Sequence, residues 1–109
     1  MYDYASSEQS GTHLNSPIHF AKGKWSTHEI PLDNLIGAAI VVDISAKAAQ
    51  NSNYQLKVSD IADWEKKHGI VPEGVIVLVY TGWAKFWLDR SKYYGIKPDQ
   101  NNSLSFPGG

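Results

Sequence analysis

The chain has 109 residues, of which 42% are hydrophobic and 19% are charged, a composition typical of a globular domain. Lysine and arginine number 10 against 11 aspartates and glutamates, so no net positive charge is present to attract nucleic acid or an anionic membrane. The sequence contains no cysteine, which excludes disulfides and thiolate metal sites. Imidazole, carboxylate and amide groups remain as possible metal ligands.

The polar amino-terminal segment leads into a stretch from Gly11 to Phe20 whose ligand-capable side chains fall at alternate positions. In an extended backbone, side chains two residues apart project from the same face. The pattern therefore predicts an extended ribbon with one face that could hold a metal ion. The side chains on that face are Gln9, His13, Asn15 and His19.

Two apolar runs rich in valine and isoleucine, at 36–44 and 74–80, predict strands that are buried on both faces. Between them, residues 60–68 predict a short helix with Ser59 as N-cap and Gly69 at the C′ position. The small, polar residues at 46–53 predict a surface loop, and the tail at 98–109 is loop-like. The order strand, helix, strand predicts an α/β fold.

The segment with the two histidines resembles the signature of the metal-dependent cyclase family, to which kynurenine formamidase and isatin hydrolase belong. The family pattern is His-x-Gly-Thr-His-x-Asp-x-Pro-x-His, and the chain reads Gln9-Ser10-Gly11-Thr12-His13-Leu14-Asn15-Ser16-Pro17-Ile18-His19. The resemblance continues through segments 24–26, 30–37, 41–45 and 80–83 to a Phe-Pro-Gly segment at 106–108.

The resemblance implies roles for individual residues of the motif. Family members bind a divalent metal, commonly zinc or manganese, through the first two histidines and the aspartate, and the last histidine acts in catalysis. The resemblance accordingly implies that His13 is a metal ligand and that His19 is the catalytic acid-base residue. Gln9 and Asn15 occupy the positions of a ligating histidine and the aspartate, and are therefore degraded ligand positions.

The resemblance also implies a fold and a reaction. The fold is the swivelling β/β/α-type domain of the family, present as one partial domain over residues 1–109 that is incomplete at both ends. The implied activity is metal-dependent hydrolysis of an amide C–N bond, as in the conversion of N-formylkynurenine to kynurenine and formate in tryptophan catabolism. Trp25 and Trp83 are candidates for stacking on the aromatic ring of a small amide substrate. By analogy with the family, we expect a homodimer.

Two alternatives remain open from the residues alone. Histidines in such a loop are more often structural than ligating, so the second hypothesis is a catalytically silent relative that acts as a small-molecule binding or interaction module.

Neither a signal-peptide pattern nor a long apolar run is present, which favours a cytoplasmic location over a secreted one. The six apolar side chains from Val75 to Tyr80 need covering on two faces, so we expect the isolated chain to be poorly soluble or oligomeric.

Overall fold

The computed structural model describes residues 1–95, which form two compact units, Met1–Ile36 and the chain from Gly37 onward. The first unit contains helix α1 (Pro17–Phe20) and 3-10 turns at Thr27–Glu29 and Leu32–Leu35. The elements of the second unit are β1 (Ala39–Asp43), α2 (Ser45–Gln50), α3 (Val58–His68), β2 (Ile76–Tyr80), a 3-10 turn (Trp83–Phe86) and α4 (Arg90–Tyr94). This mixture confirms the α/β class. The predicted tail and the Phe-Pro-Gly segment lie outside the described residues.

Strands β1 and β2 pair in parallel, with Ala39 opposite Ile76, and so confirm the two predicted strand positions. Parallel neighbours require a crossover connection, which α2 and α3 provide. Trp64 of α3 donates its indole N–H to the carbonyl oxygen of Val41 at 2.9 Å, which fastens α3 to β1. No helix among residues 1–95 is long and apolar enough to cross a membrane.

The prediction that both strands are buried on both faces is wrong for residues 1–95. Val42 and Ile44 are buried together with Ala48 of α2. By contrast, Val41 is 54% exposed, Leu78 51% and Tyr80 53%. The described sheet has only two strands. The other described elements leave several of its apolar side chains exposed.

The predicted surface loop at 46–53 is wrong over residues 46–50, because α2 occupies Ser45–Gln50, and holds only for residues 51–53. Alanine, lysine and glutamine fill most of this helix, and they are among the residues with the highest helix propensity. At its start, the Asp43 carboxylate accepts the backbone N–H of Ser45 at 2.8 Å. Hydrogen bonds from Ser45 lower the pKa of Asp43.

Helix α3 begins two residues earlier than predicted, and its N-cap is Lys57 rather than Ser59. Asp60 lies at the third position of the helix, where its carboxylate accepts the backbone N–H of Lys57 at 2.8 Å. This bond is the half of a capping box in which the third helical residue accepts the N–H of the N-cap residue. The predicted carboxyl end is confirmed, since Gly69 has a φ of 93° and donates its N–H to the carbonyl oxygen of Glu65.

The carboxylate of Asp60 connects three segments of the second unit. Asp60 is 5% exposed, pairs with the ammonium group of Lys47 in α2, and accepts the Tyr54 hydroxyl at 2.8 Å. The hydrogen bond from Lys47 and those from the Lys57 backbone and Tyr54 lower the pKa of Asp60 to about 2, against the opposing effect of burial. Asp60 is therefore ionised in the folded chain throughout the neutral and mildly acidic range.

We predict that Asp60→Asn lowers the free energy of unfolding at pH 7 by about 1–2 kcal/mol, a range discounted because Lys47 is partly screened by water. An aspartate whose folded pKa is about 2 and whose unfolded pKa is about 4 stabilises the fold above pH ~4. That contribution is lost as the pH falls from about 4 to about 2. Urea unfolding of the full-length wild type and variant at about pH 7 and about pH 2.5 measures the difference.

The control for this prediction is Asp63→Asn. Asp63 lies on the same helix, but its side chain is 61% exposed and lies 4.0 Å from Lys66. This variant should change the unfolding free energy by less than about 0.5 kcal/mol. An Asp60→Asn loss that is the same at both pH values, or no larger than that of the control, would contradict the assignment.

The exposed strand side chains generate a second prediction. The isolated 109-residue chain should oligomerise or precipitate, because contiguous exposed apolar surface and open strand edges promote association. Size-exclusion chromatography with light scattering, repeated across a dilution series, measures its mass. A dilute monomer of 12.1 kDa with a sharp, reversible thermal transition would refute the prediction.

Candidate functional site

A cleft in the first unit has a volume of about 610 Å³. Three of the four side chains predicted to share one face of the histidine segment contribute to it. Its lining residues are Ser7, Glu8, Gln9, Leu14, Asn15, Ser16, His19 and Thr27. Small-molecule sites commonly have volumes of about 300–1,000 Å³, so the cleft is large enough for a small ligand.

The extended ribbon predicted for this region is wrong on both sides of residues 13–16. Residues 8–12 form turns and bends, where Gly11 adopts a φ of 65°. After Ser16 the chain enters α1, with Pro17 at its first position. Proline favours that position because its φ is already helical and its missing N–H needs no partner. His19 is therefore carried by a helical turn and not by a strand.

Gln9 joins the two other predicted site residues of the cleft. Its side-chain nitrogen, Nε2, lies 3.4 Å from the Asn15 side-chain oxygen and 3.4 Å from Nε2 of His19. A primary amide carries two N–H groups and can donate to both atoms. In this arrangement Nε2 of His19 accepts, so the proton of the neutral imidazole lies on Nδ1. We refer to Gln9, Asn15 and His19 as the amide cluster.

His13 lies in a different local setting. Its Nδ1 lies 2.8 Å from the carbonyl oxygen of Gly11. Because a carbonyl oxygen can only accept, the His13 proton lies on Nδ1 and the lone pair of Nε2 remains available. This is the tautomer that a metal-binding histidine adopts when its other nitrogen is held by a backbone carbonyl. His13 is not among the residues that line the cleft.

The donor atoms do not match those of a tightly bound divalent ion. Within residues 1–95, no group of three histidine, cysteine, aspartate or glutamate side chains is arranged to hold a metal. Protein zinc sites use thiolates, imidazoles and carboxylates, and of these the amide cluster contains a single imidazole, His19, beside the neutral amides of Gln9 and Asn15. The zinc or manganese implied by the family resemblance thus lacks a fitting ligand set in the described part of the chain.

Sequence reasoning missed several cleft residues, of which Glu8 and Thr27 are the clearest. Glu8 has the opposite parity to Gln9, so an extended ribbon would direct it away, but the turn at 8–9 brings it to the cleft. Thr27 opens a 3-10 turn that is fixed by Ser26 and Glu29, since Glu29 accepts the Ser26 backbone N–H at 2.7 Å. The Ser-x-x-Glu spacing is a capping-box signal that could have located this turn.

The two tryptophans predicted to contact substrate lie in different units. Trp25, 47% exposed, belongs to the first unit, and its backbone oxygen accepts the N–H of Ile18 at 2.9 Å. Trp83 belongs to the second unit, where its indole N–H donates to the carbonyl oxygen of Tyr93 at 2.9 Å. It lines a hollow of about 180 Å³ that follows the carboxyl ends of both strands. A substrate role for either ring stays a prediction.

Comparison with known proteins identifies relatives across nearly the whole chain. A model of the family described as "Putative cyclase" matches residues 2–108. Isatin hydrolase of Roseibium aggregatum is 33% identical over 82 residues, which cover 72% of this chain and 31% of that protein. Kynurenine formamidase of Salinibacter ruber is 40% identical over 42 residues, 38% of this chain and 20% of that protein.

Solved structures of isatin hydrolases also have folds similar to that of this chain. An isatin hydrolase bound to the product analogue thioisatinate aligns with a TM-score of 0.78 at 27% identity, covering 95% of this chain and 40% of that one. Isatin hydrolase A from Labrenzia aggregata, bound to benzyl benzoate, aligns with a TM-score of 0.62 at 35% identity over 73% of this chain. The chain spans about a third of the length of the isatin hydrolase from Roseibium.

Proposed function

The chain belongs to the cyclase family, and we propose that it forms part of a hydrolase that cleaves an amide C–N bond in a small aromatic substrate. Isatin hydrolase and kynurenine formamidase are among its relatives, and they support a hydrolase. The specific reaction proposed is hydrolysis of N-formylkynurenine to kynurenine and formate. The activity is proposed for the whole protein, because this chain spans about a third of an isatin hydrolase.

The observation that carries the proposal is the position of His19 in a cleft of about 610 Å³. An imidazole can take up and release a proton at neutral pH, which suits His19 to accept a proton from the attacking water and pass it to the departing amine. The amides of Gln9 and Asn15 line the same cleft. Both can hydrogen-bond a substrate amide, since each side chain carries a donor and an acceptor.

A divalent ion, when bound in such an enzyme, supplies hydroxide near neutral pH and polarises the carbonyl group. The described residues do not fit that ion, so the roles proposed here belong to the side chains alone.

We also propose a homodimer, which the exposed strand residues Leu78 and Tyr80 support by offering apolar surface to a second copy. A cytoplasmic location stays a prediction.

The alternative function is a catalytically silent module that binds a small molecule. The amide cluster favours it, because Gln9 replaces a charged or imidazole ligand with a neutral amide that is already hydrogen-bonded to Asn15 and His19. Such a module would bind an aromatic amide without hydrolysing it. Substrate binding and turnover therefore separate the two functions.

We predict that the full-length protein hydrolyses N-formylkynurenine and that His19→Ala lowers kcat by about 10²–10⁴-fold, the usual contribution of a general acid or base. The control is His28→Ala, since His28 contacts Ser26 Oγ at 3.1 Å and does not line the cleft. Formate release measures turnover of N-formylkynurenine. Absorbance follows ring opening of isatin, assayed in parallel.

Three outcomes decide between the functions. Turnover of isatin alone would keep the hydrolase and replace the proposed substrate. Binding of either compound by calorimetry without turnover would support the silent module and contradict the hydrolase. Equal loss of activity in the His19 and His28 variants would remove His19 from its proposed acid-base role.

A further inference from the structure

We infer that the side-chain amide of Gln9, hydrogen-bonded to Asn15 and His19, takes the place of the cation that the family motif binds at positions 9, 13 and 15, so that this cluster does not retain a divalent ion. The inference rests on the proposed function and concerns the same cleft, because it states whether an amide or a metal ion lies there. Gln9 is a positioning residue in this account, because it acts through His19.

The geometry of the amide cluster supports this substitution. One nitrogen atom, Gln9 Nε2, lies 3.4 Å from both Asn15 Oδ1 and His19 Nε2. The two acceptor atoms therefore converge on a single donor, which holds the Gln9 side chain at the ligand atom of Asn15. Zinc–ligand distances are about 2.0–2.2 Å, so an ion could bind these two atoms only after the Gln9 amide had moved away.

Charge favours the amide over an ion at this position. A divalent ion gains its affinity from carboxylates and neutral imidazoles, and this cluster has the neutral amides of Gln9 and Asn15 at two of the motif's ligand positions. The amide nitrogen instead satisfies two acceptors without introducing a charge. Each hydrogen bond is individually weak because the cluster is exposed to water, so the cluster defines donor and acceptor roles more than it stabilises the fold.

The substitutions that would restore an ion site are not independent. Asn15→Asp alone keeps the Gln9 amide, which would then donate to a carboxylate and hold its position more firmly. Gln9→His alone removes the amide donor but leaves a neutral oxygen at Asn15. Only the two together remove the donor and add both a carboxylate and an imidazole at two of the motif's ligand positions.

We predict that the Gln9→His/Asn15→Asp double variant of the full-length protein binds zinc at least about 100-fold more tightly than the wild type, the upper range seen for a single supporting ligand contact. Asn15→Asp alone should gain less than about tenfold. Equilibrium titration with zinc against a competing chelator, and metal content after dialysis, provide the measurements. A control variant with the same residue changes is Gln50→His/Asn34→Asp, outside the cleft.

The metal measurement has one clear contrary result. A wild-type protein that retains one zinc ion per chain with the affinity of the double variant would overturn the inference. A double variant no tighter than the control variant would also overturn it, because restoring the ligands would then have no effect. Neither result depends on turnover.

The tautomer of His19 provides a second, independent test. In the wild type, Nε2 of His19 accepts from Gln9, so at alkaline pH the neutral ring should carry its proton on Nδ1. Gln9→Glu replaces the donor with a carboxylate that can only accept, so the proton of His19 should move to Nε2. The ring of His13, bound to the Gly11 carbonyl oxygen, should keep its proton on Nδ1 in both proteins.

Nitrogen-15 chemical shifts of the two histidine rings distinguish these tautomers in the full-length protein. The same His19 tautomer in the wild type and in Gln9→Glu would contradict the positioning role. A protein that meets the metal and tautomer expectations but hydrolyses neither substrate would contradict the proposed function and support this inference. An active wild type that retains zinc would support the proposed function and contradict this inference.

Discussion

The second unit depends on the buried carboxylate of Asp60, where the connections between the two paired strands meet. Lys47 reaches it from α2, Tyr54 from the following segment, and the Lys57 backbone from the start of α3. Parallel strands cannot be joined by a tight turn, so their register relies on how the crossover helices are anchored. Ionised Asp60 satisfies a helix end and pairs with the partly exposed Lys47 ammonium group at once, so its protonation weakens both connections.

The first unit uses a different means of organising polar groups. The turn at 8–12 and the proline-initiated helix α1 bring Gln9, Asn15 and His19 together, although the backbone between them is extended only in part. At two positions where the family motif has metal ligands, this chain has the amides of Gln9 and Asn15, and Gln9 donates to Asn15. Both amides line the same cleft as His19.

Much of this could be predicted from residue patterns, and the exceptions have physical causes. The apolar runs located β1 and β2 and the glycine after His68 located the end of α3, because periodicity and glycine conformation act locally. The ribbon prediction failed at Pro17, which starts a helix, and the loop prediction failed at 46–53, where helix propensity outweighed small polar side chains. Residue types identified three members of the cleft, whereas Glu8 and Thr27 depend on turns that bring distant positions together.

The central claim is that a neutral amide, and no ion, lies between Asn15 and His19. Anomalous diffraction from crystals of the full-length protein soaked in zinc tests it most directly, because the signal locates the ion itself. We expect no zinc peak bonded to Asn15 or His19, with the Gln9 amide nitrogen within hydrogen-bonding distance of both. A full-occupancy peak about 2.1 Å from His13 and Asn15, with Gln9 displaced, would contradict the account.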